Sequence, residues 1–142
     1  MPRVATVVSF FLLLVASCDE QEVEILPVKT SATIAVVLDG VEHTVELSTL
    51  PQESAPDQSP AVRLSAALSF VDQDFESKRC DFVADDGFRT SNQGEGCEPL
   101  DCGRSVDAFL VLDSRDLLWP AELGMRGCYH PRGLARVELM AP

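Results

Sequence analysis

The sequence predicts a β-rich α+β domain: a small mixed or antiparallel sheet with one or two short helices, pinned by disulfide bonds. Residues 41–47 alternate between apolar and polar side chains directly after an Asp-Gly pair, which is typical of a hairpin. Further short β-type segments follow, and clear helical spacing occurs in one stretch, residues 62–71. Four cysteines in the second half of the chain are an even number, which suits two disulfides.

The start of the chain has the order of an export signal. Arg3 supplies a positive charge, residues 4–15 are almost wholly apolar, and small residues precede Cys18. This order resembles the lipobox of bacterial lipoproteins, in which the cysteine is lipidated on sulfur and becomes the new N-terminus. The resemblance implies a signal peptide over residues 1–17 and a lipidated Cys18 that carries membrane-embedded acyl chains such as palmitate. An ordinary cleaved secretory signal and an uncleaved anchor are the alternatives.

Cleavage before Cys18 would place the mature protein in the bacterial cell envelope, outside the cytoplasm and anchored to the inner or the outer membrane. Residues 18–30 are then an acidic tether, and residues 31–142 a single domain. The mature chain would carry ten basic and 23 acidic residues, a net charge of about −13. This charge argues against nucleic-acid binding, which needs a basic surface, and against an electrostatic grip on anionic lipid.

The first folded element is predicted to be a β-hairpin. Residues 33–38 are apolar and mostly β-branched, and Asp39-Gly40 separates them from the alternating run 41–47. Asp-Gly suits the tight primed turn, whose central residues need positive φ. His43 shares the inward-facing side of the second strand with Val45, so it is expected to be a core or edge histidine rather than a ligand or base.

The later segments give the remaining elements in order. Residues 51–60 contain three prolines and predict a loop, and residues 62–71 predict a short helix with a strand as the alternative for the first part. Residues 78–84 predict a strand. Residues 106–113 predict a central strand, because apolar residues occupy both of its faces, and residues 134–140 predict the last strand.

The cysteines after position 18 are expected to form two disulfides in an oxidising compartment. They are Cys80, Cys97, Cys102 and Cys128. Three connectivities are open, and the favoured one joins Cys97 to Cys102, which share a loop, and Cys80 to Cys128. No metal is expected, because no Cys-x-x-Cys pair occurs and the two histidines lie far apart in the sequence.

Four stretches of the mature chain resemble a reduced sulfite-oxidase-type molybdopterin-binding domain over residues 36–140. They are Gly40–Leu47, Val62–Leu68, Asp85–Phe88, and Gly124–Arg126 with the final strand Arg136–Leu139. Enzymes of that family hold molybdenum through a cysteine thiolate and the pterin phosphate through basic residues. Because the cysteines here are expected to be oxidised in pairs, the resemblance implies the scaffold without the cofactor. No cofactor is expected, and no catalytic residue is carried over.

Two functions follow. The first is a lipid-anchored envelope protein with a non-catalytic domain that binds another envelope protein; the alternative is a molybdopterin-fold oxidoreductase or cofactor-binding protein. An enzyme is the less favoured class, because no nucleophile–histidine pair, phosphate loop or metalloprotease motif occurs.

The loops 85–103 and 124–133 are the candidate interaction surface, since aromatics and arginines dominate binding hot spots. Its candidate residues are Phe88, Arg89, Arg126, Tyr129, His130 and Arg132.

Overall fold

A computed structural model describes residues 32–142 of the 142-residue chain. The predicted signal peptide (1–17), Cys18 and the predicted tether (18–30) lie outside the described residues. The described part contains nine strands and one α-helix: β1 (Thr33–Leu38), β2 (Val41–Glu46), β3 (Gln52–Ser54), β4 (Pro60–Arg63), α1 (Leu64–Val71), β5 (Arg79–Ala84), β6 (Leu100–Asp101), β7 (Phe109–Val111), β8 (Leu117–Leu118) and β9 (Leu134–Met140). The predicted β-rich α+β class is confirmed.

The strands form two sheets rather than one. The larger sheet has the order β2-β1-β9-β5-β6 and is mixed, since β1 and β9 pair in parallel and the other neighbours are antiparallel. The smaller sheet, β3-β4-β7-β8, is antiparallel throughout. Residues 51–60, which the sequence predicts as a loop, contribute instead to a second hairpin, whose turn lies between Ala55 and Ser59. With this hairpin the chain passes from the larger sheet to the smaller one.

The first hairpin has the predicted turn. Asp39 and Gly40 have φ values of 53° and 78°, and Leu38 pairs with Val41 across the turn. β2 is an edge strand, and Val45 is its only buried residue, so His43 is exposed rather than part of the core.

Helix α1 begins where strand β4 ends, so the helix and its strand alternative both occur within residues 62–71. Arg63, at the N-cap, makes no side-chain capping bond. The helix is held instead by its buried face, Leu64, Ala67 and Leu68, which packs into the main core with the inner face of the larger sheet. Burial of each such leucine contributes about 1.5–3 kcal/mol.

All four cysteines of the described part are in disulfides, which confirms the predicted number of bonds. The favoured connectivity is wrong: the bonds are Cys80–Cys102 and Cys97–Cys128. Strand β6 lies extended between Cys97 and Cys102 and pairs with β5, which brings Cys102 beside Cys80 with a Cα–Cα distance of 5.3 Å. The two bonds therefore interleave along the chain.

The outer face of the larger sheet carries a buried carboxylate, Asp81 of β5, whose exposed fraction is 2%. Arg89 donates to it at 2.9 Å, and Ser91 donates to it through both its amide (3.0 Å) and its hydroxyl (2.6 Å). Arg89 also donates two hydrogen bonds to Glu138 of β9, at 2.6 and 3.1 Å. Arg89 thus joins two neighbouring strands and holds the start of the loop that covers them.

The hydrogen bonds from Arg89 hold the pKa of Glu138 below its ordinary value of 4.5. A carboxyl group whose pKa is lower in the folded state than in the unfolded state stabilises the fold at pH values above its unfolded-state pKa. That contribution is lost as the pH falls through the folded-state pKa, so this ion pair makes the domain less stable in acid.

We predict that Arg89→Met lowers the free energy of unfolding by about 3 kcal/mol, because it leaves the buried Asp81 side chain without its cationic partner. The matched control is Arg63→Met, which removes an ion pair with Glu53, a hydrogen bond to the Val106 carbonyl and a contact with the Phe109 ring, all from a partly exposed side chain. It is expected to cost about 1–2 kcal/mol. Urea unfolding followed by the fluorescence of Trp119, the single tryptophan, measures both. Equal losses in the two variants would contradict the role assigned to Arg89.

Candidate functional site: two clusters on the cross-linked loops

The two loops that the sequence analysis selected are bound to one another. Besides the Cys97–Cys128 disulfide, the buried hydroxyl of Thr90 donates to the Cys128 carbonyl at 2.8 Å. The Asp85 amide donates to the Gly133 carbonyl at 2.9 Å. These links join positions 85, 90 and 97 of the first loop to positions 133 and 128 of the second, so the two loops lie side by side.

Trp119 supports the same face from below. It is buried, with an exposed fraction of 5%, and its Nε1 donates to the Tyr129 carbonyl at 2.7 Å. Trp119 therefore packs in the core and holds residues 127–129, rather than forming an exposed contact patch.

A cleft of about 270 Å³ opens between the two loops. Its lining residues are Ala84, Asp86, Phe88, Gly127, His130, Pro131 and Arg132. One wall follows from the Asp85-Asp86-Gly87 turn: Gly87 has a φ of 90°, its amide donates to Ala84, and the Phe88 amide donates to the Asp86 carboxylate at 3.0 Å. The turn directs the chain back so that Phe88 lies on the cleft.

The other wall is built by a short 3-10 helix, Gly127–Tyr129, which ends at His130. The His130 amide donates to Gly127, and its ring Nε2 lies 3.2 Å from the Met125 carbonyl. The floor of the cleft is apolar, formed by Ala84, Phe88 and Pro131. The exposed rim carries both signs of charge, from Asp86 and Arg132.

Three of the six predicted surface residues thus meet in this cleft: Phe88, His130 and Arg132. Arg89 does not line the cleft: it is ion-paired with Asp81 and Glu138, because β5 and β9 bring their carboxylates together beside it. Tyr129 is mostly buried, with an exposed fraction of 8%.

Tyr129 and Arg126 belong to a second cluster. The Tyr129 hydroxyl donates to the Glu98 carbonyl at 2.7 Å, and Arg79 donates to the next carbonyl, that of Pro99, at 3.0 Å. The Arg126 guanidinium lies on Gly96, so closely that a Cβ added there would stand 2.9 Å from its Cζ. Residues 96–99 are therefore contacted by side chains from two distant parts of the chain, Arg79 and the segment 126–129.

Arg104 completes this group through a contact with Met125, to whose sulfur it donates at 3.2 Å. We call Arg79, Arg104 and Arg126 the arginine cluster. Burial, and then the Glu98 carboxylate, raise the pKa of the Tyr129 phenol above its ordinary value, and the charges of the three arginines oppose that rise only in part. Sequence reasoning missed Arg79 and Arg104, since β5–β6 pairing and the disulfides, not sequence proximity, bring them to the loop.

The residues present do not fit a molybdenum cofactor. All four cysteines of residues 32–142 are in disulfides, so this part of the chain offers no thiolate for the metal. Nor do the described residues bring together three or more His, Cys, Asp or Glu side chains that could hold a metal ion.

The described part of the chain has no helix long and apolar enough to cross a membrane. Comparison of the chain with protein-family models, curated proteins and solved structures finds no match. The inference of function therefore rests on the sequence and on the geometry of the cleft and the arginine cluster.

Proposed function

We propose that the chain is a lipoprotein of the bacterial envelope whose domain binds another envelope protein through the cleft, without catalysis. The main support for the proposal is that the two loops that form the cleft are joined both by a disulfide and by a buried hydrogen bond. A site that is rigid before binding loses little conformational entropy when a partner arrives, which favours affinity.

The size and lining of the cleft support a protein partner. Sites for whole small molecules commonly have volumes of about 300–1,000 Å³, and this cleft, at about 270 Å³, is smaller. An apolar floor with Phe88 and a rim with Asp86 and Arg132 suits one or two apolar side chains of a partner, flanked by polar contacts. These dimensions favour the binding module over the alternative of an enzyme with a large cofactor.

Two further observations support the envelope assignment. Two interleaved disulfides suit an oxidising compartment and are rare in the bacterial cytosol. The lipobox-like order ending in Cys18 supplies both the route of export and the anchor. Two or more acyl chains are needed for stable membrane attachment, and a diacylglyceryl cysteine meets that condition.

We predict that Cys18 is acylated and is the first residue of the mature chain. Cys18→Ser should either release the protein from the membrane fraction or leave an unprocessed precursor, because the sulfur that receives the lipid is lost. Fractionation with mass spectrometry of the N-terminal peptide measures this. A mature chain that carries an unmodified Cys18 would contradict the prediction.

We also predict that a photo-crosslinking amino acid at Arg132, on the exposed rim of the cleft, captures one reproducible envelope protein in living cells. The matched control places the same amino acid at Phe70 of α1, which is 67% exposed and lies outside the cleft. Phe88→Ala is expected to weaken the Arg132 capture, because it removes the largest apolar side chain of the cleft floor.

Three results would count against the cleft as the binding site. They are the absence of any reproducible product from position 132, the same product from positions 132 and 70, and capture that Phe88→Ala leaves unchanged in a folded protein.

A further inference from the structure

Five of the nine basic side chains in residues 32–142 are ion-paired with carboxylates, and four arginines are not. The ion-paired ones are Arg63, Lys78, Arg89, Arg115 and Arg136. Arg132 and the arginine cluster have no carboxylate oxygen within 4.0 Å in residues 32–142. With 23 acidic and 11 basic residues in the chain, a local group of cations without carboxylate partners calls for a physical explanation.

The donors of the arginine cluster are largely unused. Each guanidinium has five N–H donors. Arg79 donates to the Pro99 carbonyl, which carries no net charge. Arg104 donates to the thioether sulfur of Met125, which is a weak acceptor. Arg126 lies on Gly96 without a hydrogen bond to any acceptor in the described residues.

The nearest acids are turned towards the backbone. The Glu98 carboxylate accepts the Gly96 amide at 3.2 Å, and the Asp101 carboxylate accepts the Gly103 amide at 3.0 Å. Both reduce the local positive potential, but neither pairs with an arginine of the cluster. All three arginines of the cluster are exposed, so their remaining donors are accessible.

The backbone beneath the cluster is cross-linked. Its loop residues 96–99 are fixed by the Cys97–Cys128 disulfide and by the Tyr129 hydroxyl bond to Glu98. Planar guanidinium groups recognise phosphoryl oxygens through paired N–H donors, and positions fixed in advance lower the entropic cost of binding.

We propose that the arginine cluster binds the phosphoryl group of an anionic ligand. Arg104 and Arg126 donate to its oxygens, and Arg79 contributes its charge. This site is separate from the cleft and does not depend on acylation of Cys18. The shared chemistry is the phosphoryl oxyanion, which can come from free phosphate or from the phosphodiester of a lipid headgroup.

The test is isothermal titration calorimetry on the full-length protein in non-ionic detergent. The probes are inorganic phosphate and glycerophosphoglycerol, the headgroup of phosphatidylglycerol without its acyl chains. We expect Arg126→Gln and Arg104→Gln each to weaken binding about tenfold, the loss of one charge-assisted hydrogen bond. Arg126→Lys keeps the positive charge but loses the paired N–H donors of the planar guanidinium, so it should weaken binding less. Near-UV circular dichroism identifies any variant that fails to fold.

The charge-matched control is Arg63→Gln, which removes a positive charge from the smaller sheet and should leave binding unchanged. Binding of phosphate supports the proposal with free phosphate as the source, and binding of glycerophosphoglycerol alone supports it with the lipid headgroup as the source. The proposal is overturned if neither probe binds to the protein without substitutions. It is also overturned if the folded cluster variants bind the probe with the same affinity as Arg63→Gln.

Discussion

The Cys97–Cys128 disulfide is the constraint on which the rest of the functional face depends. It closes a separation of 31 residues, which by the chain-entropy account stabilises the fold by about 3–4 kcal/mol. Most of the chain between these cysteines outside the short strands β6 to β8 is 3-10 helix or turn. Without the bond, the loops that carry the cleft and the arginine cluster would be joined mainly by single hydrogen bonds, such as that from Thr90 to Cys128.

The same short segment, residues 126–132, contributes to both clusters. Arg126 and Tyr129 reach the arginine cluster, and Gly127, His130 and Arg132 line the cleft. A change in the position of this segment would therefore alter both sites together. Trp119 opposes such a change, since its buried indole donates to the Tyr129 carbonyl. One covalent bond and one buried side chain therefore keep the cleft and the arginine cluster in place.

The hairpin, helix α1 and the last strand were predictable because their information is local. Asp39-Gly40 specifies its turn, and the apolar spacing in residues 62–71 and 134–140 specifies which face packs. The disulfide connectivity was not predictable, because it follows from the pairing of β5 with β6 across 20 residues of chain. The same pairing places Arg79 in the arginine cluster. The pairing of β5 with β9 brings together Asp81 and Glu138, the two ion-pair partners of Arg89, away from the cleft.

The most direct test of the interleaved disulfides is a peptide map of the unreduced protein after digestion with a protease that cleaves before aspartate. The four cysteines then fall on separate peptides, 74–80, 86–100, 101–106 and 116–142. The structure predicts disulfide-linked products of 74–80 with 101–106 and of 86–100 with 116–142. A product that joins 86–100 to 101–106, or 74–80 to 116–142, would show that the two loops are not cross-linked in this way and would contradict the account of both clusters.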